Sequence, residues 1–328
     1  LAAVKRDFYY EQLARKKDPE KCGYDFFLTK LFAGTGYNPG VVDEDSIRNI
    51  SQKDVSSFHQ RFIRPNNSII VLDGNINLNN ASLKISQSFN RWVSRPLERP
   101  PVPRLRNMNY ETILFLDLPT PDVSVIMGNA ISPLGSEDYY ALLVLNQLIG
   151  GSPTSRLFLN LRESRGLAYY AFSQLSYFKN NGLFWIRSKT SAQSVGQVLK
   201  EILAQVNSLL EERIDPHELE KAKAYLAGNF PLENQHPEQM AKKVGLQFMF
   251  QLPADFWNRY YENLLVVSSE KVQEVARQYL TRQPQVVISG DFRTCLNSLR
   301  AVNRIEIYNQ KGQLKATCEK GVVKNENR

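Results

Sequence analysis

Apolar positions along this chain alternate between helical and strand-like spacing, which predicts a mixed α/β fold. Residues 191–214 carry apolar side chains every three to four positions, as one face of an amphipathic helix does. Residues 110–130 instead form two β-rich runs split by PTPD, and residues 168–190 form two more runs around the turn KNNG. Strands at both ends of this region with helices between them predict one sheet covered by helices on one face.

An internal repeat divides the chain into two related units. Residues 51–75 align with residues 268–291, and each copy predicts a helix, a short loop and a β-branched strand that ends at a glycine. Upstream, residues 18–32 align with residues 236–250 at almost the same spacing, with a proline at the predicted start of each helix. Two aligned segments at one spacing indicate a duplication.

The two units are unequal in length. We expect the C-terminal half of a first domain over residues 1–92, a proline-rich linker over 93–107, and a complete second domain over 108–328. On the logic of the repeat, the first unit lacks roughly 110 residues that the second contains. The fold class expected is therefore α+β, with two related α/β-sandwich domains. Each has a mixed, mostly antiparallel sheet covered by helices, and the first is truncated on its N-terminal side.

Composition narrows the classes of partner. The chain has 328 residues, of which 42% are hydrophobic, so it can bury ordinary cores. The net charge is +8, but the basic residues are scattered and no nucleic-acid motif accompanies them, so we expect no nucleic-acid partner. No window approaches eighteen apolar residues, so we expect no transmembrane segment. Three distant cysteines form no C-x-x-C pair.

Two candidate site residues flank a glycine break. Arg162 and Tyr169 stand between a predicted short helix and a predicted strand, with Gly166 between them. Taken alone, such a pair is more typical of a solvated charge and a core aromatic than of a site. The three histidines, His59, His217 and His236, lie too far apart in sequence for one helix face to offer two of them to a metal, and the chain contains no H-x-x-E-H.

Two stretches carry a resemblance to a known family. SRLFLNLRESRGLAY (155–169) resembles the second domain of the pitrilysin/insulinase zinc peptidases, which include mitochondrial processing peptidase, and DEDSIRNISQKDVSSFHQRFIRPNNSIIVLDGNI (43–76) resembles the end of their first domain. The resemblance implies two similar domains that close on an unfolded peptide, with zinc bound through H-x-x-E-H and a downstream glutamate. It also implies an arginine and a tyrosine that hold the substrate carbonyl and its oxyanion, here Arg162 and Tyr169.

The zinc half of the resemblance is incomplete. The family's third zinc ligand corresponds to Gln12 in the gapless register, or to Glu11 after a shift of one residue. The family's acidic residue seven positions earlier corresponds to Lys5 or Val4. Gln12 would be a poor zinc ligand, and the positive charge of Lys5 would repel the metal. Glu11 is therefore the possible surviving ligand. We expect zinc to belong to the family or to a partner subunit, and none to bind this chain alone.

The resulting hypothesis is a non-catalytic or half-site subunit of a zinc metallopeptidase. It would bind extended peptides, assist hydrolysis through Arg162 and Tyr169, and pair with a zinc-bearing subunit as a heterodimer or with a second copy of itself. Two alternatives stay open. The chain could be a fragment of a complete zinc endopeptidase whose H-x-x-E-H lies upstream of Leu1, or a structural core-type subunit without a proteolytic role.

Overall fold

Helices form the regular structure described in the first unit. The computed structural model describes residues 1–34, 44–98, 105, 111–281 and 283–325, so most of the expected linker lies outside the described residues. The helices are α1 (Ala2–Arg15), α2 (Pro19–Leu31), α3 (Glu44–Asn49), α4 (Gln52–Phe62), a 3-10 turn (Pro65–Asn67) and α5 (Leu78–Phe89). Of these, α2 makes the closest contact with the second unit.

The second unit is built around an eight-stranded sheet. Its strands are β1 (Ile113–Asp117), β2 (Val123–Ile131), β3 (Ala168–Phe178), β4 (Asn181–Thr190), β5 (Gln285–Gly290), β6 (Arg304–Tyr308), β7 (Leu314–Glu319) and β8 (Val322–Asn325). Their spatial order is β3-β4-β2-β5-β1-β6-β7-β8. Strand β1 pairs in parallel with β5 and β6, and the other pairs are antiparallel. The mixed, mostly antiparallel sheet of the expected fold class is confirmed.

Helices cover one face of this sheet as predicted. The helices of this region are α6 (Tyr139–Ile149), a π-helix (Phe158–Ser164), α7 (Val195–Glu211), α8 (Pro216–Glu233), α9 (Pro237–Phe250), α10 (Tyr260–Leu265), α11 (Ser269–Tyr279) and α12 (Phe292–Cys295). Of these α-helices, α6, α7, α11 and α12 contact the sheet, whereas no residue of α9 is buried. Helix α7 buries Val198 and Ile202 against the sheet in the main core. Helix α8 begins as its sequence predicts, with Asp215 accepting a hydrogen bond from the His217 N–H at 2.9 Å and Pro216 in its first turn.

The other face of the sheet is also covered, which corrects the expectation of helices on one face only. Helix α2 lies across β2 and β5, and Phe27 is fully buried there among Leu116, Ile126 and Trp185. A side chain at Gly23 would meet the Ser289 hydroxyl at 2.7 Å, so the helix can approach this closely only with glycine there. Strands β2 and β5 are buried at every position, as strands between two layers are.

The two segments aligned by the predicted repeat share a helix start but not a strand. Helices α4 and α11 begin after Ser51 and Ser268, which accept hydrogen bonds from the third helical residue at 3.2 Å in both copies. The second-copy strand is β5. The first-copy strand, predicted to end at Gly74, does not form, because no described segment pairs with it. A Cβ at Gly245 of α9 would lie 3.8 Å from Val71 Cγ2, an ordinary contact distance, so α9 lies beside this segment without the close approach that α2 makes to β5.

Candidate functional site

The arginine of the candidate pair lies in a π-helix. Residues Phe158–Ser164 form this helix where the sequence predicts a short helix, and wide turns of this kind are frequent at functional sites. The Arg162 side chain is 50% exposed, and its guanidinium carbon is 5.0 Å from the centre of the Phe158 ring. Gly166, at φ +59°, ends the helix, and its N–H donates to the Arg162 carbonyl at 3.2 Å.

The tyrosine of the pair lies in a β-bulge. The pairing of β3 with β4 shifts register between Ala168 and Tyr170, so Tyr169 is the extra residue on β3. Tyr169 is 63% exposed, and its hydroxyl makes no hydrogen bond with the described part of the chain. Strand β3 is an edge strand of the sheet. Tyr169 is therefore a surface group and not a core aromatic.

Hydrogen bonds fix the backbone on both sides of the bulge. The Thr190 hydroxyl donates to the Leu167 carbonyl at 2.6 Å, and the Ser188 hydroxyl donates to the Tyr170 carbonyl at 3.0 Å. The Tyr170 hydroxyl donates to the Glu20 carboxylate of α2, and burial together with that carboxylate raises the pKa of Tyr170. Side-chain hydrogen bonds on both sides of the bulge therefore hold its backbone in place.

Arg162 has the weakest ion pair among the described basic side chains near the bulge. Its contact with Glu163 is 3.9 Å long between half-exposed groups. The other three have carboxylates within 3.0 Å: Arg165 with Glu201 at 3.0 Å, Arg187 with Glu20 at 2.7 Å, and Lys189 with Asp122 at 2.7 Å. The guanidinium of Arg162 is therefore the one best able to bind an incoming oxygen.

Two hydrogen bonds at Ser173 limit the free edge of β3. The Ser173 N–H donates to the Gly150 carbonyl at 2.9 Å, and the Ser173 hydroxyl donates to the Asn146 carbonyl at 3.1 Å. The turn that follows α6 thus covers the edge strand at Ser173. The bulge around Tyr169 lies outside this cover.

The zinc residues implied by the resemblance do not come together. Glu11 is exposed on α1 and Gln12 is half-buried there, while the Lys5 ammonium donates to the Arg48 carbonyl at 2.5 Å. Within the described residues, no three side chains of histidine, cysteine, aspartate or glutamate are close enough to hold a metal. The described residues therefore do not fit a zinc ion, and Glu11 stays a prediction as a ligand.

Glu20, Tyr170 and Arg187 lie next to the candidate site, and no local sequence pattern identifies them as its neighbours. The aligned prolines at the predicted starts of two helices place Glu20 only in a helix first turn. Its partners lie about 150 residues away along the chain. Hydrophobic periodicity carries no signal for such a long-range polar contact.

Comparison with models of known families assigns the chain to a family. The sequence profile of the family described as the peptidase M16 inactive domain matches residues 49–226, which are more than half of the chain and include both Arg162 and Tyr169. This chain belongs to the peptidase M16 family. The family resemblance indicated by the two motifs is confirmed.

The curated relatives include proteins named zinc proteases and one named a non-peptidase homolog. An uncharacterized zinc protease of Streptomyces coelicolor is 25% identical over 300 residues, which cover 88% of this chain and 65% of that protein. The uncharacterized zinc protease YmxG of Bacillus subtilis is 25% identical, with 84% and 67% covered. The non-peptidase homolog YmxG of Helicobacter pylori is 22% identical, with 85% and 65% covered. The chain thus spans about two thirds of the length of these relatives.

Solved structures agree on the fold. The peptidase M16 inactive domain from Pseudomonas fluorescens superimposes with a TM-score of 0.78 at 21% identity, covering 88% of this chain and 69% of that chain. A chain of complex III2 from Candida albicans superimposes with a TM-score of 0.74 at 15% identity, covering 88% and 71%. Both structures share the sandwich architecture described above. No described helix of this protein is long and apolar enough to cross a bilayer.

Proposed function

We propose that this chain is the substrate-binding, non-catalytic half of a zinc peptidase site. An extended peptide lies along β3 at the bulge, and Arg162 and Tyr169 donate hydrogen bonds to a peptide carbonyl. The observation that carries the proposal is the exposed Tyr169 hydroxyl in an edge-strand bulge, with the weakly paired Arg162 on the neighbouring π-helix. Edge strands bind extended peptides through backbone hydrogen bonds.

The pair suits a carbonyl that gains negative charge. A guanidinium is always protonated and presents several N–H donors, and a phenol supplies one O–H donor. Donors aimed at a developing oxyanion lower the barrier, and removing one such donor typically costs about 10²–10³ in rate. The described residues do not form a zinc site, so in this proposal water activation belongs to a partner.

The partner proposed is a zinc-bearing M16 subunit, with a second copy of this chain as the other possibility. Several relatives are named zinc proteases and one is named a non-peptidase homolog, which supports a family in which some chains lack a complete site. The described part of the chain exposes Arg162 and Tyr169 and contains no group of side chains that could hold a metal, which supports a division of the site between two subunits. A heterodimer would unite the two halves.

The decisive experiment mixes this chain with the zinc-bearing M16 subunit of the same organism and follows cleavage of a quenched fluorescent peptide. We expect Arg162→Ala and Tyr169→Phe to lower kcat by about 10²–10³ without dissociating the complex. Matched controls are Arg259→Ala and Tyr261→Phe, which alter exposed residues near α10. Unchanged kcat in both site variants, with intact complex, would refute the proposal.

The two alternatives give other outcomes in the same design. If this chain is part of a complete endopeptidase, the reading frame upstream of Leu1 encodes H-x-x-E-H and the longer protein cleaves the peptide without a partner. If the chain is a structural subunit, deleting it abolishes assembly of the complex, while Arg162→Ala and Tyr169→Phe leave both assembly and peptide cleavage unchanged.

A further inference from the structure

Glu20 connects the first unit to two strands of the second. It lies in the first turn of α2, and its two carboxylate oxygens have different partners. The Tyr170 hydroxyl of β3 donates to Oε2, and Nη1 of Arg187 on β4 donates to Oε1 at 2.7 Å. One carboxylate of the first unit therefore holds both strands of the hairpin that carries Tyr169.

Glu20 is itself held in place by its surroundings. Its N–H donates to the Asp18 side chain at 3.0 Å, which caps the helix. The Ser289 hydroxyl of β5 donates to the Pro19 carbonyl at 2.5 Å, and Phe27 is fully buried further along α2. The start of α2 is bonded to a central strand of the sheet, so Glu20 is held in a defined position from which it contacts β3 and β4 at the sheet edge.

The anchored tyrosine is the immediate neighbour of the exposed one. Tyr170 pairs in register with Lys189, and Tyr169 is the unpaired residue before it. An unpaired residue can move along a strand if nothing specifies the register, and such a slip reverses the face on which each side chain lies. The Ser188 and Thr190 hydroxyls already hold the backbone around the bulge, and the contact between Tyr170 and Glu20 adds a side-chain constraint on the residue next to Tyr169.

We propose that Glu20 is a positioning residue for Tyr169, and that peptide binding at the β3 bulge therefore depends on the contact between the two units. This inference rests on the proposed function, and it adds a residue from the first unit that does not touch the peptide. The second copy of the repeat offers a natural comparison. Glu238 occupies the matching position in α9, where it is exposed and pairs only with Lys242 at 2.8 Å among the described residues.

The test measures binding of fluorescein-labelled β-casein, an unfolded protein, by the unmodified chain and by variants. We expect Glu20→Gln and Tyr170→Phe each to weaken binding about tenfold, and Glu238→Gln to leave it unchanged. In a Tyr169→Ala background, Glu20→Gln should have no further effect, since it acts through Tyr169. Hydrogen exchange of the amides over 168–172 should speed up roughly tenfold in Glu20→Gln while amides of β6 and β7 keep their rates.

The outcomes separate this inference from the function on which it rests. If Tyr169→Ala leaves casein binding unchanged, the proposed function fails and the inference fails with it. If Tyr169→Ala weakens binding but Glu20→Gln does not, only the inference fails. It also fails if Glu20→Gln weakens binding equally in the Tyr169→Ala background, because the effect would then come from general loosening. Tyr170→Phe removes a single oxygen, so it keeps the test valid if Glu20→Gln folds poorly.

Discussion

The guanidinium of Arg156 binds both carboxylate oxygens of Glu218, with Nε–Oε1 at 2.7 Å and Nη2–Oε2 at 2.6 Å. A third N–H, on Nη1, reaches the Ser208 hydroxyl of α7 at 2.9 Å. Both charged side chains are mostly shielded from water, and Arg156 lies just before the π-helix. This contact therefore connects α7 and α8 to the segment that carries Arg162.

Glu218→Gln is expected to lower the free energy of unfolding by about 2 kcal/mol, because it leaves a shielded guanidinium without its carboxylate. Urea denaturation followed by circular dichroism measures the change. Glu238→Gln removes an exposed ion pair from another helix first turn and should leave the denaturation midpoint unchanged. Equal midpoints for the two variants would show that the Arg156 contact does not stabilise the fold.

Phe27→Ala should destabilise the protein by about 3–5 kcal/mol, because the ring is fully buried between α2 and the sheet and its loss leaves a cavity. Phe248→Ala makes the same truncation in α9, where the ring is 66% exposed, and should change stability by less than about 0.5 kcal/mol. Thermal unfolding of the two variants side by side measures the difference. A small loss for Phe27→Ala would mean that α2 does not close this face in solution.

The contacts of Asp138 lead us to expect that the folded protein loses stability in acid. Burial alone would raise its pKa, but hydrogen bonds from Tyr279 at 2.6 Å and Lys271 at 2.9 Å outweigh burial and lower the pKa. The folded value therefore lies below the unfolded value of about 3.9, so ionised Asp138 stabilises the fold above about pH 4. This contribution is lost as the pH falls through the folded pKa.

Asp138→Asn should accordingly be less stable than the unmodified chain at pH 6, and the gap should narrow as the pH is lowered from about 5 to 3. Urea denaturation at each pH measures the free energy of unfolding. Asp255→Asn, which alters an exposed aspartate with a 3.8 Å ion pair, should run parallel to the unmodified chain over this range. A gap that widens in acid would contradict the assignment.

Two glycine-to-alanine substitutions should change the stability of the fold in opposite directions. A Cβ at Gly150 would lie 2.3 Å from the Ser173 nitrogen, so Gly150→Ala should disturb the cover on β3 and destabilise the fold by about 1–3 kcal/mol. Gly228 lies within α8, where a Cβ would meet no described atom of its surroundings within 4 Å, so Gly228→Ala should stabilise by about 0.5–1 kcal/mol. Thermal midpoints measure both, and a shift of the same sign in each would refute the explanation.

Local elements can be predicted from the sequence because their signals are local. Helix α7 follows from its apolar spacing, and the hairpin of β6 and β7 follows from two short runs around a turn at residues 309–313. The strand predicted to end at Gly74 has the right residues, but a strand also requires neighbours, and Ile69, Ile70 and Leu72 are exposed. The residues of a segment show that it could form a strand, but they do not show whether a neighbouring strand is present to pair with it.

The site can be predicted only in part for a related reason. Arg162 and Tyr169 are identifiable because one short stretch carries both. The contacts that fix the bulge join residues far apart along the chain, such as Glu20 with Arg187. The cover of the second sheet face by α2 is equally hidden, since an apolar helix does not reveal which sheet it will contact.

The packing of α2 against the second unit's sheet has a consequence for where the molecule could be divided. A protease cut within residues 93–107 would sever the covalent connection, yet Phe27 would still lie in the apolar cluster on the second unit's sheet and Pro19 would still be bonded to Ser289. The two pieces would remain associated after the cut. A cut at the domain boundary expected from the sequence should therefore leave α2 bound to the sheet.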